Sequence, residues 1–111
     1  METIKIKVYG RVQGVFFRAN TKRFCDDNGL NGKVRNMSDG TVEIFVQGTE
    51  EKIRSLIEYL KSSPGISKVD KIEVRKTKLK KFESFEIIRE GNFFTDKKKA
   101  LTNLGRKLAN N

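Results

Sequence analysis

The chain has 111 residues, of which 34% are charged and 36% hydrophobic, and its net charge is +10. This length fits one domain. No apolar run approaches the roughly 20 residues that a membrane span needs, so no membrane association is expected. The sequence contains no histidine and a single cysteine. These counts exclude sites built on imidazole and leave no His or Cys cluster to bind a metal.

The remaining composition indicates the compartment and the class of partner. Cys25 cannot form an internal disulfide, which favours a reducing compartment. The N-terminus enters an alternating strand pattern at once and does not resemble a signal peptide. We therefore expect a cytoplasmic protein and take it to be monomeric. The positive charge favours anionic partners, namely nucleic acid, acidic membrane surfaces or small phosphorylated ligands.

The first half of the chain predicts a strand, a helix and a hairpin. Residues 3–9 alternate apolar and polar side chains, as a half-buried strand does. A helix is predicted over residues 19–28, and it ends at an Asn-Gly pair; its stripe comprises Phe17, Thr21, Phe24, Cys25 and Asn28. Strands over 33–37 and 42–47 flank an Asp-Gly turn, which is typical of a hairpin.

The second half predicts another helix and one or two strands. Thr49 is a suitable N-cap, and two glutamates follow it in the first turn. The Ser-Ser-Pro-Gly sequence at 62–65 ends this helix, a strand lies within 68–76, and a short one lies within 84–87. The order predicts an α+β, ferredoxin-like split β-α-β-β-α-β sandwich. Its sheet is expected to be antiparallel, with four to five strands and both helices on one face.

The segment after this pattern differs in character. We predict one domain over residues 1–90 and a basic C-terminal extension over 91–111. Leu101, Leu104 and Leu108 form a thin helical stripe, which Gly105 weakens by about 1 kcal/mol relative to alanine. The extension is therefore predicted to form at most a short, marginal helix.

The charges of the first predicted helix run against the helix dipole. It opens with Arg18, Lys22 and Arg23 and closes with Asp26 and Asp27, whereas the second helix has the favourable order. Each misplaced charge near a helix end costs about 0.3–1 kcal/mol at low salt. This inversion predicts an anion held at the N-terminus of the first helix.

The segment before that helix, which we call the glycine loop (residues 10–18), suits anion binding. Gly10 and Gly14 permit backbone angles that let successive N–H groups point into one concavity, and Arg18 adds a planar fork of donors. One of the two phenylalanines before Arg18 is expected to join the core and the other to shield the pocket. The spacing of the glycines alone is a weak signal. It matches neither a Walker loop nor a dinucleotide fingerprint, and arginines beside glycine turns are often inert.

Two longer segments resemble a known family. Residues 10–21 read GRVQGVFFRANT and residues 32–43 read GKVRNMSDGTVE. Together with the closing F-x-I pattern, they resemble the signatures of the acylphosphatase family, small hydrolases of acyl phosphates. The resemblance covers about residues 4–88. It implies the same ferredoxin-like fold, and hydrolysis of an acyl phosphate to a carboxylate and inorganic phosphate without a metal or cofactor.

The resemblance also implies roles for individual residues. Arg18 takes the position of the phosphate-binding arginine, and Asn36 that of the asparagine that orients the attacking water. Thr21 matches a threonine that supports the loop from inside. The substrate-binding cradle is expected to comprise Gln13, Gly14, Val15, Phe16, Phe17 and Arg18. Without the resemblance, Asn36 reads as a turn residue.

Two other interpretations start from the same residues. A basic nucleic-acid-binding module on a ferredoxin-like sheet would use Lys5, Lys7 and Tyr9 on the outer side of the first strand, with Phe45 beside them. We consider nucleic acid an unlikely partner because RNP-like aromatic clusters are missing. The domain also resembles the acylphosphatase-like domains inside larger hydrogenase-maturation enzymes, although the chain length argues against that context.

Overall fold

The computed structural model describes residues 1–78 and 81–89. The elements follow the order β-α-β-β-α-β-β that the sequence predicts. They are β1 (Glu2–Arg11), α1 (Phe17–Asp27), β2 (Asn31–Asn36), β3 (Val42–Gly48), α2 (Glu50–Lys61), β4 (Lys68–Lys76) and β5 (Phe85–Ile88).

The strands form a five-stranded sheet in the order β4-β1-β3-β2-β5. The four longer strands pair antiparallel, as expected. The expectation of a purely antiparallel sheet is wrong for β5, which pairs parallel with β2 from Gly32↔Phe85 onward. Since β5 enters the sheet after a crossover from the far edge, its direction is set by that connection, and the sheet is mixed.

The core lies between the sheet and the two helices. Alternate residues of β1 point into it, namely Ile4, Ile6 and Val8, each at most 5% exposed. The central strand β3 is buried on both faces, and Glu43 on its outer face pairs with Lys5 and Arg35. A half-buried outer face and an apolar inner face are what a two-layer α+β sandwich requires. The fold class is therefore the ferredoxin-like sandwich predicted from the sequence.

The two helices differ at their N-termini. The hydroxyl of Thr49 accepts a hydrogen bond from the N–H of Lys52 and caps α2, which has two glutamates in its first turn and Lys61 in its last. Helix α1 has no side-chain cap and no acidic residue in its first turn. It begins at Phe17, two residues before the predicted range, and Arg18 lies in its first turn, as the charge pattern of the predicted helix required.

The predicted extension over residues 91–111, with its marginal helix, lies outside the described residues, and the division at residue 90 stays a prediction. Within the described part of the chain, neither helix is long and apolar enough to cross a membrane. The same residues contain no group of three or more His, Cys, Asp or Glu side chains that could hold a metal ion.

Candidate active site

The glycine loop is anchored in the core by three alternating side chains. Val12, Val15 and Phe17 are 1%, 7% and 1% exposed, so the backbone between them is held at the surface of the core. Gly14 has φ of 73°, and a Cβ there would meet open space, so glycine is needed for its backbone angle. Gly10 differs: it lies in β1, and a Cβ would collide with the carbonyl oxygen of Lys68. Glycine is therefore needed at this position for the close packing of β1 against β4, and not for the predicted anion cradle.

Phe16 occupies an unusual backbone conformation at the start of α1. It is the N-cap residue, with φ of 61° and ψ of 21°, and its side chain is 78% exposed. A left-handed conformation costs a non-glycine residue about 1–2 kcal/mol, and strain of this kind concentrates at functional sites. Of the two phenylalanines, Phe17 therefore joins the core and Phe16 stands at the surface, as the sequence predicts.

The backbone of this loop contains N–H groups that make no hydrogen bond within the described residues. No acceptor among residues 1–78 and 81–89 takes a hydrogen bond from the backbone N–H groups of Gly14, Val15 or Phe16. The first N–H groups of α1 likewise have no partner within the helix, and they form its positive end. A cavity of about 270 Å³ opens at this point. It is lined by Val12, Gly14, Phe16, Phe17, Arg18, Ala19 and Arg89.

Two cations of α1 reach across to β5. Arg18 Nη1 donates to the carbonyl oxygen of Ile88 at 3.4 Å, and Lys22 Nζ donates to the carbonyl oxygen of Phe85 at 2.8 Å. Lys22 also pairs with Asp26 at 2.9 Å. The two cations at the start of α1 therefore have different contacts. Lys22 holds β5 against the helix, whereas Arg18 both contacts β5 and lines the cavity.

The side chain of Gln13 ties the glycine loop to the β2–β3 hairpin. Its Nε2 donates to the carbonyl oxygens of Met37 and Thr41, both at 2.8 Å. Met37 directly follows Asn36, the last residue of β2. These two hydrogen bonds, which we call the Gln13 clamp, therefore bring the end of β2 beside the glycine loop.

The hairpin itself is fixed by Asp39. Its carboxylate accepts hydrogen bonds from the Thr41 hydroxyl at 2.6 Å and the Thr41 N–H at 3.0 Å, and Lys7 lies 3.1 Å away. These donors, with the Thr41 hydroxyl foremost, lower the pKa of Asp39 to about 2. Asp39 thereby holds the carbonyl of Thr41 where Gln13 reaches it, which is the turn role expected from the sequence.

Asn36 is placed on the inner face of the sheet. It is 5% exposed and stands opposite Val42, in line with the buried Val34 on the same face of β2. Its amide is therefore buried at the end of a strand, beside the hairpin that Gln13 contacts. Thr21 is fully buried and donates its hydroxyl hydrogen bond to the carbonyl oxygen of Phe17, supporting α1 from inside.

The predicted site residues fall into two groups. Gly14, Phe16, Phe17 and Arg18 line the cavity, whereas the side chains of three others do not. Those three are Gln13, Val15 and Asn36. Sequence reasoning did not identify Arg89 as a lining residue or the Gln13 side chain as a clamp. A signal for Arg89 was its place directly after the last predicted strand, but its direction of approach depends on the parallel pairing of β5.

The sequence and fold of this chain are shared with known proteins. A family model described as Acylphosphatase matches residues 4–87. The chain belongs to the acylphosphatase family. Among curated acylphosphatases, that of Thiobacillus denitrificans is 39% identical over 77 residues, which are 69% of this chain and 86% of that protein. The crystal structure of acylphosphatase from Bacillus subtilis superposes with a TM-score of 0.76 at 38% identity, covering 79% of this chain and 99% of that chain.

The acylphosphatase domain also occurs within larger proteins. The "Probable carbamoyltransferase HypF" of Methanocaldococcus jannaschii is 41% identical over 91 residues, which are 80% of this chain but 12% of that protein. The resemblance to domains of larger enzymes noted from the sequence is therefore real at the level of this domain. Acyl phosphate hydrolysis is the activity that defines the acylphosphatase family.

The nucleic-acid alternative depends on the outer face of the sheet, where bases would stack on aromatic rings. Lys5 and Lys33 lie over the Phe45 ring at 6.0 and 5.2 Å, and Lys7 and Lys71 flank the Tyr9 ring at 5.4 and 4.6 Å. The family assignment gives the alternative no support.

Proposed function

We propose that this protein hydrolyses acyl phosphates by holding the phosphoryl group in the cavity at the N-terminus of α1. The observation that carries the proposal is the cavity of about 270 Å³ at the start of α1, which is lined by Arg18 and residues of the glycine loop and, among the described residues, by no acidic side chain. Donors of this kind match the three non-bridging oxygens of a phosphoryl group. The products are a carboxylate and inorganic phosphate.

The reaction asks little of acid–base chemistry. Water attacks phosphorus, the bond between phosphorus and the bridging oxygen breaks, and the electron pair leaves with the carboxylate. The water proton ends on the phosphate. Because a carboxylate is a good leaving group, positioning and charge stabilisation are sufficient, and a strong general base is not needed.

In this proposal, the backbone amides and Arg18 stabilise charge on the phosphoryl oxygens as the transition state forms. They are fixed before the substrate arrives, since the side chains of Val12, Val15 and Phe17 anchor the loop in the core. Preorganised donors of this type lower the barrier without reorganising during the reaction.

Asn36 is assigned to the attacking water. Its amide oxygen accepts a hydrogen bond from water and orients it without removing its proton. The support is its burial at the end of β2 and the Gln13 clamp that holds that strand end beside the loop. The water would approach from the hairpin side, in line with the leaving oxygen.

A phosphate-release assay with benzoyl phosphate tests these roles. Removing one such donor lowers the rate by about 10²–10³-fold, so Arg18→Ala should lower kcat/KM by at least that factor. Asn36→Ala should lower kcat with a smaller effect on KM. Arg54→Ala removes an equal charge from α2, where Arg54 pairs with Glu50 at 3.1 Å, and serves as the control. Both site variants should unfold within a few degrees of the wild type.

An Arg18→Ala variant that folds and keeps most of its activity would contradict the assignment.

We further propose that the enzyme acts as a cytoplasmic monomer. Support comes from the single cysteine, which is buried at Cys25. Sedimentation of the purified chain tests the monomer directly.

A further inference from the structure

A groove beside the cavity carries two exposed apolar side chains. Among the described residues, the large apolar side chains that are exposed are those of Met1, Phe16, Ile66 and Val74. Phe16 and Ile66, which are 78% and 65% exposed, both line one groove of about 440 Å³, a size that suits a small ligand. Single exposed apolar side chains are common on protein surfaces, but two that share a groove indicate a binding surface.

One wall of this groove is a single face of α1. Four residues line it at the helical spacing i, i+3, i+4 and i+7, namely Phe16, Ala19, Asn20 and Arg23. This spacing places them on one side of the helix. At a rise of about 1.5 Å per residue, the wall from Phe16 to Arg23 is about 10 Å long. An extended chain advances about 1.2 Å per bond, so about eight bonds span it.

The opposite wall is the loop between α2 and β4, which lies close against α1. A Cβ at Gly65 would stand 2.8 Å from Nδ2 of Asn20, and φ there is 66°, so glycine suits both the contact and the backbone angle. The hydroxyl and the N–H of Ser67 donate to the carbonyl oxygen of Pro64 at 2.7 and 3.3 Å and fix the turn that carries Ile66. The fold of the loop therefore sets the position of Ile66 beside the helix.

The groove adjoins the cavity assigned to the phosphoryl group. Phe16 and Ala19 line both of them. Because the acyl group of an acyl phosphate is joined to phosphorus through one oxygen, it must begin next to the cavity, where the groove offers apolar surface. Phe16 stands at this junction in a left-handed conformation with φ of 61°, and backbone strain of this kind concentrates at functional sites.

We propose that the groove between Phe16 and Ile66 binds the acyl chain of the substrate. This rests on the proposed function, and it narrows the substrate class to acyl phosphates with an apolar chain of about six to ten carbons. The phosphoryl group lies in the cavity, and the chain follows α1 toward Ile66. Ile66 then determines chain-length specificity and takes no part in the chemistry.

A series of saturated acyl phosphates from acetyl to octanoyl phosphate tests the proposal, each kept below the concentration at which it forms micelles. The measured quantity is kcat/KM for phosphate release. Full burial of one methylene group favours binding by about fourfold, so a groove open on one side should give about twofold for each added carbon. Between butanoyl and octanoyl phosphate, the wild type should therefore gain about tenfold, chiefly through KM.

Variants of Ile66 make the result specific to the groove. Ile66→Ala should raise KM for octanoyl phosphate by about fivefold and leave KM for acetyl phosphate unchanged, because two carbons do not extend along the groove. Ile66→Leu keeps the apolar contact and should restore most of the wild-type value. Val74→Ala is the control, since Val74 is 49% exposed on β4 and is not among the residues lining the groove. It should leave the whole series unchanged.

The outcomes separate this proposal from the function on which it rests. If kcat/KM did not depend on chain length in the wild type, another molecule or segment would be the occupant of the groove, and the proposal would be overturned while hydrolysis stood. Equal losses on acetyl and octanoyl phosphate in Ile66→Ala would assign Ile66 to the fold and overturn it as well, and so would a wild-type chain-length dependence in that variant. If the wild type hydrolysed acetyl phosphate no faster than Arg18→Ala does, the proposed function itself would fail.

Discussion

The Nε2 of Gln13 donates to the carbonyl oxygen of Met37 at 2.8 Å, and this bond joins the glycine loop to the strand that carries Asn36. The same nitrogen reaches Thr41 at 2.8 Å. One amide thus holds the two halves of the candidate site in register: the phosphoryl cradle on one side and the residue assigned to the water on the other.

Replacing this amide should affect both stability and catalysis. Gln13→Met keeps the side-chain length but donates to neither carbonyl, so we expect a loss of about 1–3 kcal/mol in the free energy of unfolding. Because the hairpin is then no longer fixed to the loop, kcat should fall as well. Denaturant unfolding and phosphate release measure the two effects.

Gln47 provides a matched control for that variant. It also makes two hydrogen bonds through its side chain, to Thr3 at 2.8 Å and from the N–H of Phe82 at 2.9 Å, but it does not line the cavity. Gln47→Met should destabilise the fold to a similar degree with kcat unchanged. If both variants lowered kcat equally, the Gln13 clamp would have no specific part in catalysis.

Asp39 should make stability depend on acid pH. Its pKa is lowered from 3.8 to about 2, first by the Thr41 hydroxyl. A carboxyl with a lowered folded-state pKa stabilises the fold above its unfolded pKa, and this contribution is lost as the pH falls toward the folded value. Asp39→Asn should therefore flatten the fall in Tm between about pH 4 and pH 2, because asparagine accepts the same bonds without titrating.

The control for Asp39 is Asp70→Asn, which removes an exposed carboxylate that pairs with Lys68 at 3.4 Å on the edge strand. It should keep the wild-type slope of Tm against pH. Equal slopes for the wild type and Asp39→Asn would show that the hairpin carboxylate does not drive the acid dependence.

Two substitutions of Phe16 distinguish the effect of backbone strain from the effect of the aromatic ring. Phe16→Gly removes both the ring and the strain, whereas Phe16→Ala removes only the ring. The glycine variant should be more stable than the alanine variant by about 1 kcal/mol, because alanine keeps the left-handed penalty. Differential scanning calorimetry measures this difference, and a more stable alanine variant would argue against the positive φ.

The activities of these two variants report on the ring. If the exposed ring shields the cavity or contacts the acyl group, both variants should show a raised KM for benzoyl phosphate by a similar factor. Val74, which is 49% exposed and is not among the residues lining the cavity, offers the comparison. Val74→Ala removes exposed apolar surface and should leave KM unchanged.

The thiol of Cys25 should be inert in the native protein. Burial raises its pKa from 9.0 to about 12, and the side chain is fully buried on α1. Since thiolate is the reactive form, alkylation by iodoacetamide at pH 8 should be suppressed by at least about a thousandfold relative to the unfolded chain. Mass spectrometry across a denaturant series measures it, and labelling that precedes global unfolding would contradict the prediction.

The elements could be predicted because their signals are local. The alternation in β1, the Asp-Gly turn and the Thr49 cap each depend on neighbours within a few residues, and each is found where the sequence indicates. The start of α1 was missed by two residues because Phe16 adopts a left-handed conformation that its residue type disfavours. No local propensity predicts such an N-cap.

The candidate site was only partly visible for a related reason. Arg18 and the loop glycines stand together in the sequence and predict an anion site, although the glycine spacing alone is a weak signal. Arg89 reaches the cavity only because β5 pairs parallel with β2, a long-range contact that periodicity does not encode. The clamp by Gln13 is equally non-local, since the side chain meets carbonyl groups more than twenty residues away.

The position of β5 has a consequence for how the protein is made. The glycine loop, α1 and the hairpin leave the ribosome well before Phe85, yet Gly32 pairs with Phe85, and Arg18 hydrogen-bonds Ile88. A nascent chain that has not been translated through these positions exposes β2 as an unpaired edge and lacks one wall of the candidate site. Under the proposed function, hydrolysis is therefore expected only once residues 85–88 are free to join the sheet.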